Sequence, residues 1–404
     1  MAKMQDPAAT TVARVTSSTL RSLRRRSFLK GMGLVGAGAV LQAGGLLGRA
    51  SAAGRALPHG DADILRFLAL AEILETDIWE QYTELGGVQD NEFANAADDD
   101  RERTGFAVTG GNALYTAALQ LLDGDMPQYI FDNTDDEISH QLFINAYLAS
   151  RGAATVDMEK FRTLPGSQAT GANKTRKRLT NLMDLTVDTS FWGRYRTDDA
   201  NPDLDPGASF PEAAVIEHRT AIPRTDDDTA GSAVTSDNTQ SITDHLKAIA
   251  FTAGFHFAWI EQGGTSLYPS LAQRVNDPEV LRILLSIGPT ETMHFQTWQD
   301  KAGNATPLTD VDPMTGAKVT FADLTQGQPQ TLQSNLIMPE PCPFLNKSLP
   351  LCSIIRPTNT RGAAMGAVKA LTADGLFNGQ STAFMDKLRE LAEKADAAQR
   401  DGGD

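Results

Sequence analysis

The chain has 404 residues, of which 41 % are hydrophobic and 22 % are charged, so it can bury a core and is not a disordered polypeptide. Its formal net charge of −15 argues against a nucleic-acid-binding surface, which needs positive potential to displace counterions from phosphates. Two cysteines are too few for a disulfide scaffold, a four-cysteine zinc site or an iron–sulfur cluster. We therefore expect a folded protein that binds no nucleic acid.

Residues 1–52 have the pattern of an export signal. Arg25 and Arg26 open a basic motif, a glycine-rich apolar run covers 31–47, and small residues follow it at 50–52. The paired arginines make this segment resemble a twin-arginine signal, which implies the twin-arginine export machinery as a partner and a periplasmic or extracellular destination. Because that route carries folded proteins, often with their cofactor, it favours a cofactor here. A short transmembrane anchor is the alternative, although the apolar run is shorter than the ~20 residues that span a bilayer.

Hydrophobic periodicity predicts an all-α fold for the rest of the chain, with no later segment apolar enough to span a membrane. An aspartate followed closely by proline marks two helix starts, at Asp125 and at Asp277. The predicted core helices cover about 61–84, 126–150, 243–266 and 278–300, within a domain over 54–300. A long insertion over 151–240 separates the second core helix from the third. The segment over 301–404 is predicted to wrap over the core as loops and two helices, near 361–373 and 379–398.

Two Glu-x-x-His motifs are the main candidates for a functional site in the sequence. They are Glu137 with His140 and Glu291 with His294, each on the apolar stripe of a predicted helix. Residues three apart on a helix share a face, so the carboxylate and the imidazole can converge on one metal ion. Each motif follows another helix with a glutamate in its apolar face, which is Glu72 in the first case and Glu261 in the second. This pattern predicts a carboxylate-rich metal site inside a helical bundle.

The chain resembles the ferritin-like superfamily, and most closely its exported and desiccation-related members. The resemblance rests on Ala-Glu-Ile-Leu-Glu at 71–75, on Asp-Glu-x-x-His at 136–140, and on the spacing from Glu261 to Glu291 and His294. It covers about half of the chain after the signal. It implies an antiparallel four-helix bundle in which two iron or manganese ions are held by a glutamate from each of two helices and a Glu-x-x-His from each of the others. The implied ligands are Glu72, Glu137, His140, Glu261, Glu291 and His294, with Glu137 and Glu291 bridging the ions.

Charge balance supports a metal centre independently of the resemblance. Four ionised glutamates inside one bundle are costly unless they are neutralised, and two divalent ions cancel their charge. Oxygen-rich ligation with imidazole suits iron or manganese. The resemblance then implies oxidation chemistry, with ferrous iron oxidised or peroxide or dioxygen consumed in stress protection. Two alternatives are peroxide disproportionation of the manganese-catalase type and a non-enzymatic envelope or desiccation-associated protein. A homodimer is left open as the assembly.

Several residues in the motifs have other interpretations. Thr134 and Glu137 match a capping box if a helix begins there, and Glu75 is an alternative first-helix ligand one turn from Glu72. Glu261 precedes Gly263 and Gly264, so it can also be the end of the third helix. The Gly-Pro pair at 288–289 departs from the family pattern and predicts a kink that either presents Glu291 or distorts the site.

The remaining histidines and the basic residues are interpreted as structural. His256 is predicted to be packed or at an interface, and His59, His218 and His245 are assigned to loops or helix ends. The basic cluster over 174–178 is interpreted as a solvated face. Cys342 and Cys352 are expected to form a disulfide in an oxidising compartment, because they flank a proline-rich loop with little core of its own.

Overall fold

A computed structural model describes most of the chain beyond the predicted export signal. The described residues are 56–88, 110–194, 207, 209–210, 213–234, 240–324, 340–343, 345–354 and 362–401. The predicted signal over 1–52 lies outside them. Within these ranges, no helix combines the length and the apolar character needed to cross a bilayer.

The described residues are mostly helical, as predicted for an all-α chain. The helices are α1 (His59–Gly86), α2 (Ala113–Leu119), α3 (Met126–Ser150), α4 (Ser190–Gly193), α5 (Asp244–Ala272), α6 (Pro278–Ala302), α7 (Ala363–Ala373) and α8 (Thr382–Ala397). Four long helices, α1, α3, α5 and α6, correspond to the predicted core helices. Two shorter helices, α7 and α8, correspond to the predicted C-terminal pair. The seven-residue α2 has no counterpart among the predicted elements.

The starts of the long helices follow local capping chemistry. The side chain of Asp277 accepts a hydrogen bond from the backbone N–H of Glu279, and Pro278 is the first residue of α6. Thr243 caps α5 in the same way, through the backbone N–H of Leu246. Asp61, in the first turn of α1, is fully buried and accepts from the backbone N–H groups of Asn276 and Asp277. This last contact ties the start of α1 to the turn between α5 and α6.

Two alternative interpretations of the sequence are wrong. Thr134 lies well inside α3, where its hydroxyl donates to the carbonyl of Ile130, so it caps no helix. The helix α5 continues to Ala272, with Gly263, Gly264 and Pro269 inside it, so Glu261 lies within the helix and does not end it. Glycine and proline are tolerated there because tertiary packing outweighs intrinsic helix propensity.

Short antiparallel strand pairs form the connections. The strands are β1 (Thr186–Asp188), β2 (Val215–Thr220), β3 (Ala233–Val234), β4 (Gln240–Ser241), β5 (Thr309–Val311), β6 (Lys318–Thr320), β7 (Glu340–Cys342) and β8 (Cys352–Ile354). They pair as β1 with β2, β3 with β4, β5 with β6, and β7 with β8. Two 3₁₀ turns, Glu159–Phe161 and Asp226–Thr229, lie in the insertion. The predicted insertion over 151–240 also contains the short helix α4.

The long helices pack as two pairs, α1 against α3 and α5 against α6, and a buried aromatic stack joins the pairs. The ring centroids of Trp79 on α1 and Phe257 on α5 lie 3.5 Å apart, and those of Phe257 and Trp298 on α6 lie 4.1 Å apart. All three side chains are buried. Burial of aromatic side chains of this size contributes strongly to stability. Because the three rings come from α1, α5 and α6, their contacts hold the two helix pairs together.

Part of the basic cluster over 174–178 is buried, which corrects its interpretation as a solvated face. Lys174 and Lys177 are exposed, but Arg178 is fully buried and pairs with Glu84 of α1. The Nε atom of Arg176 lies 3.0 Å from the Oε2 atom of Glu80. Both glutamates are buried, so the arginines supply the charge that their burial requires. These ion pairs fasten the insertion to α1.

We expect Arg178→Met to lower the free energy of unfolding by about 3–5 kcal/mol. The substitution leaves the carboxylates of Glu84 and Glu80 buried without this cation. Urea unfolding followed by circular dichroism measures the effect. The control is Lys177→Met, which changes the exposed neighbour and should alter stability by no more than about 0.5 kcal/mol. Equal stability of the two variants would contradict the assigned role of the ion pair.

Candidate metal centre

The six ligands implied by the sequence come together in the structure, one or two from each long helix. Glu72 comes from α1, Glu137 and His140 from α3, Glu261 from α5, and Glu291 and His294 from α6. All four glutamates are at most 1 % exposed. The Glu-x-x-His spacing places each pair on the inner face of its helix, as the 3.6-residue period requires.

The donor atoms form two overlapping groups, each compact enough to hold one ion. One group contains Glu72, Glu137, His140 and Glu291, and the other contains Glu137, Glu261, Glu291 and His294. Within each group the donor atoms lie within 4.8 Å of one another. Glu137 and Glu291 belong to both groups, which is the arrangement that bridging carboxylates of a two-ion centre require.

His140 lies close to all three carboxylates of the first group. Its Nδ1 atom lies 2.8 Å from Oε2 of Glu137, 3.3 Å from Oε2 of Glu72 and 3.7 Å from Oε1 of Glu291. Its Nε2 atom lies 3.3 Å from the hydroxyl oxygen of Thr290. The imidazole therefore presents Nδ1 to the carboxylates and has an outer partner at Nε2, which fixes the ring orientation as outer partners of metal-bound histidines do.

His294 organises the second group with the same orientation. Its Nδ1 atom lies 3.1 Å from Oε1 of Glu137 and 3.2 Å from Oε2 of Glu261. Its Nε2 atom lies 3.1 Å from the Oδ2 atom of Asp136, which is the residue before Glu137. The ring centroids of His140 and His294 are 6.5 Å apart. The two histidines thus stand at the two ends of a carboxylate cluster.

Several carboxylate oxygens in the cluster have no hydrogen-bond partner among the described residues. They are both oxygens of Glu291 and the Oε1 atom of Glu261. A buried carboxylate oxygen without a donor is costly, and a cation is the partner that would satisfy it. The donor set of oxygen with imidazole nitrogen fits iron or manganese. The residues present therefore fit the group that the sequence implies.

Burial and ion pairing together shift the pKa values of the clustered carboxyls in different directions. Burial raises the pKa of Glu72 to about 7, although His140 acts in the opposite direction, and burial raises the pKa of Glu291 well above its usual range. Burial also raises the pKa of Glu137, but its contacts with His140 and His294 outweigh that effect and hold this pKa below its usual value. Protons and metal ions therefore compete for the same oxygens.

We expect metal affinity to rise with pH between 6 and 8. A Glu72 carboxyl with a pKa of about 7 is mostly protonated at pH 6, and it must ionise before it can ligate a cation. Each proton displaced on binding lowers the affinity about tenfold per pH unit below that pKa. Titration with Mn²⁺ at pH 6, 7 and 8 by calorimetry measures the change. Proton release in weakly buffered solution is the independent check, and an affinity that does not vary with pH would contradict the assignment.

Two glycines allow close packing at the candidate centre. One of them, Gly288, belongs to the Gly-Pro pair that departs from the family pattern. A Cβ atom at Gly264 would lie 2.5 Å from Oε2 of Glu291, so only glycine lets this carboxylate occupy its place. A Cβ atom at Gly288 would lie 2.7 Å from the Cβ atom of Tyr268, so Gly288 lets α6 approach α5 closely. The helix α6 continues through Pro289, and Glu291 is buried in the cluster. The Gly-Pro pair therefore does not keep Glu291 out of the site.

Sequence reasoning missed three residues that surround the ligands. The hydroxyl of Tyr268 donates to Oε1 of Glu72. The amide of Asn133 donates to Oε1 of Glu137 at 2.8 Å, and the indole N–H of Trp298 donates to the Oδ1 atom of Asn133 at 2.7 Å. Asn133 lies four residues before Glu137 and Tyr268 lies seven after Glu261, so the helical period was a signal that could have found both.

Glu75, the alternative first-helix ligand, lies outside both donor groups. Its Oε1 atom is buried without a hydrogen-bond partner in the described part of the chain. Glu72 is the glutamate of α1 that meets His140, so the geometry favours Glu72 as the ligand. Glu75 lies next to the cluster, where burial and then the charges of Glu261 and Glu137 raise its pKa.

The other histidines lie away from the cluster. His256 is buried in the core, where its Nδ1 atom lies 2.8 Å from the Tyr82 hydroxyl, and burial lowers its pKa to about 3. His59 lies at the start of α1 and His245 in the first turn of α5, whereas His218 lies in strand β2 and not in a loop or at a helix end, which corrects the prediction for that residue. Each of these three is near an aspartate, in agreement with structural roles.

The two cysteine positions are paired across two strands. The register of β7 and β8 places Cys342 directly opposite Cys352. Directly opposed positions on antiparallel strands bring Cα atoms to a separation that a disulfide can span. The disulfide stays a prediction.

Comparison with known families agrees with this geometry. The family model for the ferritin-like domain matches residues 60–304, which is more than half of the chain and runs from the start of α1 to just beyond α6. The chain belongs to the ferritin-like family. The matched ferritin-like domain contains all six clustered residues, whereas α7 and α8 lie outside it. No curated protein and no solved structure matches the chain.

Proposed function

We propose that this chain is an exported ferritin-like protein with a dinuclear iron or manganese centre. The centre would lie in an antiparallel four-helix bundle and would oxidise ferrous iron or consume peroxide or dioxygen in stress protection. One observation carries the proposal, namely that Glu137 and Glu291 belong to both donor groups. A single-ion site needs no shared carboxylates, whereas a two-ion site does.

The residues that would hold the ions are assigned from the two groups. Glu72 and His140 would ligate one ion, Glu261 and His294 the other, and the two shared carboxylates would bridge them. A pair of such ions supplies one-electron redox steps to dioxygen or peroxide.

The protein's own contribution is to orient the ligands and exclude bulk water. Tyr268 holds one oxygen of Glu72 by its hydroxyl, and Asp136 fixes the ring of His294 from outside the centre. Such outer contacts set ligand orientation and basicity, and their loss costs about 10–100-fold in metal affinity. The buried indole of Trp298 stacks on Phe257 and donates to Asn133, which in turn donates to Glu137.

Elemental analysis of the protein purified after native export tests the proposal. We expect about two iron or manganese ions per chain. Less than about half an ion per chain would overturn the dinuclear assignment. Metal-loaded protein is then assayed for ferrous oxidation and for peroxide loss with and without dioxygen release. Dioxygen release would instead indicate disproportionation of the manganese-catalase type, and bound metal without either activity would favour the non-enzymatic alternative.

The proposed export route has its own test. We expect replacement of both Arg25 and Arg26 by lysine to retain the chain in the cytoplasm, because the twin-arginine machinery is selected by that pair. Cell fractionation followed by immunoblotting measures the distribution. The control replaces Arg14 and Arg21, outside the pair, by lysine and should leave export unchanged. Normal export of the first variant would contradict the assignment.

A further inference from the structure

A cavity of about 160 Å³ lies between α1, α5 and α7. Its α7 wall belongs to the C-terminal segment, which lies outside the matched ferritin-like domain. The side chains that line the cavity are mostly apolar, and they include Leu74, Ile78, Trp259, Leu267, Ala367 and Leu371. Apolar cavities of about this size take up apolar guests such as benzene or xenon.

Two residues of the lining also adjoin the candidate metal centre. Gly264 is one of them, because a Cβ atom placed on it would lie 2.5 Å from Oε2 of Glu291. Glu75 is the other, because it lies within reach of the charges of Glu261 and Glu137. The cavity and the centre therefore share part of one wall.

Other residues of the lining are partly exposed, namely Ala71, Ala363, Ala367 and Leu371. Among the described residues, the cavity thus lies between the protein surface and the wall of the centre. It approaches the centre from the side of α1 and α5. The histidine-bearing helices α3 and α6 contribute no residue to its lining.

The lining disfavours charged and polar molecules. Glu75 is its one charged residue, and the Oε1 atom of that side chain is fully buried, so this oxygen does not face the cavity. The hydroxyl of Ser266 already accepts a hydrogen bond from Gln262 at 3.2 Å. Peroxide both donates and accepts hydrogen bonds, so it would lose its bonds with water on entering this lining. Dioxygen is apolar and loses very little.

We infer that this cavity is the site through which dioxygen reaches the centre, with the C-terminal helix α7 as the wall that completes it. The inference rests on the proposed dinuclear function and deepens it, because it assigns dioxygen and not peroxide as the reactant that enters here. None of the six clustered ligands lines the cavity, so the cavity can be altered without removing a ligand.

Xenon binding to metal-free protein tests the cavity without any measurement of activity. Xenon is an apolar atom that occupies apolar cavities. Crystals held under xenon pressure should show a xenon atom beside Ile78, Trp259 and Ala367, located by its anomalous scattering. Ala367→Leu adds three carbon atoms to the lining and should lower the xenon occupancy at least about tenfold. The matched control is Ala373→Leu, the same change at an exposed position of α7, which should bind xenon like the unmodified protein. Absence of xenon from the cavity would overturn the inference.

The reaction with each oxidant gives the second test. Protein loaded with ferrous iron is mixed with dioxygen or with peroxide in a stopped-flow instrument. In Ala367→Leu, the rate constant with dioxygen should fall about tenfold, and the rate constant with peroxide should stay within about twofold of its original value. An equal fall for the two oxidants, or no fall with dioxygen, would overturn the inference.

Metal content separates this inference from the proposed function. Ala367→Leu should hold as much metal as the unmodified protein, because no ligand lines the cavity. Thermal unfolding checks that the variant folds, and Ala370→Leu in the same lining replaces it if it does not. Protein that takes up xenon but holds no metal would overturn the proposed function, and with it the delivery of dioxygen. Protein that holds metal but takes up no xenon would overturn this inference alone.

Discussion

The variant Glu137→Gln/Glu291→Gln is expected to bind no iron or manganese while keeping its fold. Both residues belong to the two donor groups, so the double change removes two ligands from each candidate ion. Glutamine preserves size but supplies only one neutral acceptor oxygen, which cannot bridge two cations. Elemental analysis and Mn²⁺ titration measure the loss.

The metal-free stability of this variant distinguishes lost ligands from a damaged fold. The change at Glu291 removes a carboxyl that is destabilised by burial, whereas the change at Glu137 removes the charged partner of His140 and His294, so the metal-free variant should stay folded and unfold at a somewhat lower temperature than the unmodified protein. Metal at one hundred times its dissociation constant should stabilise the unmodified protein by about 2.7 kcal/mol and leave the variant unaffected.

A control on the same helix completes this experiment. Glu279→Gln makes the same chemical change in the first turn of α6, where the side chain is 62 % exposed and pairs with Arg151. This variant should bind metal like the unmodified protein. Normal metal content in the double variant would mean that the assigned ligand set is wrong.

The helical framework of the centre could be predicted because its signals are local. The helix over 126–150 was predicted with the bounds that the structure has, since Asp125 and Pro127 mark its start and Gly152 follows its end. The end of α5 was predicted six residues too early, because glycine and proline are weak helix formers in isolation. Packing of α5 against α6, through Gly288 and Tyr268, overrides that propensity, and no local signal reports it.

The partners of the ligands could be predicted less well, because they depend on contacts between helices. The Glu-x-x-His spacing predicts which carboxylate shares a face with which imidazole. It does not say that Asp136 of α3 supports His294 of α6, a contact between residues 158 positions apart. The same limit explains the basic cluster, where burial of Arg178 depends on the buried glutamates of α1. Charge patterns predict that a residue needs a partner, and only the fold decides where that partner lies.

Gly264→Ala is expected to release most of the bound metal, although the change adds a single methyl group. That methyl would lie 2.5 Å from Oε2 of Glu291 and 3.2 Å from its Cδ atom, so the carboxylate must leave its position. Since Glu291 belongs to both donor groups, its displacement affects both candidate ions. We expect metal affinity to fall at least about tenfold, as for other losses of ligand orientation.

The neighbouring glycine supplies the matched control for this substitution. Gly263→Ala makes the same change one residue earlier in α5, where the new methyl group meets nothing within 4 Å. Both substitutions remove a helical glycine, so each gains about 1 kcal/mol of helix propensity and the comparison isolates the contact with Glu291. Gly263→Ala should therefore keep its metal and unfold at a higher temperature, and Gly264→Ala should lose metal. Equal metal content in the two variants would show that Glu291 is free to ligate from another position, and that the space at Gly264 does not define the centre.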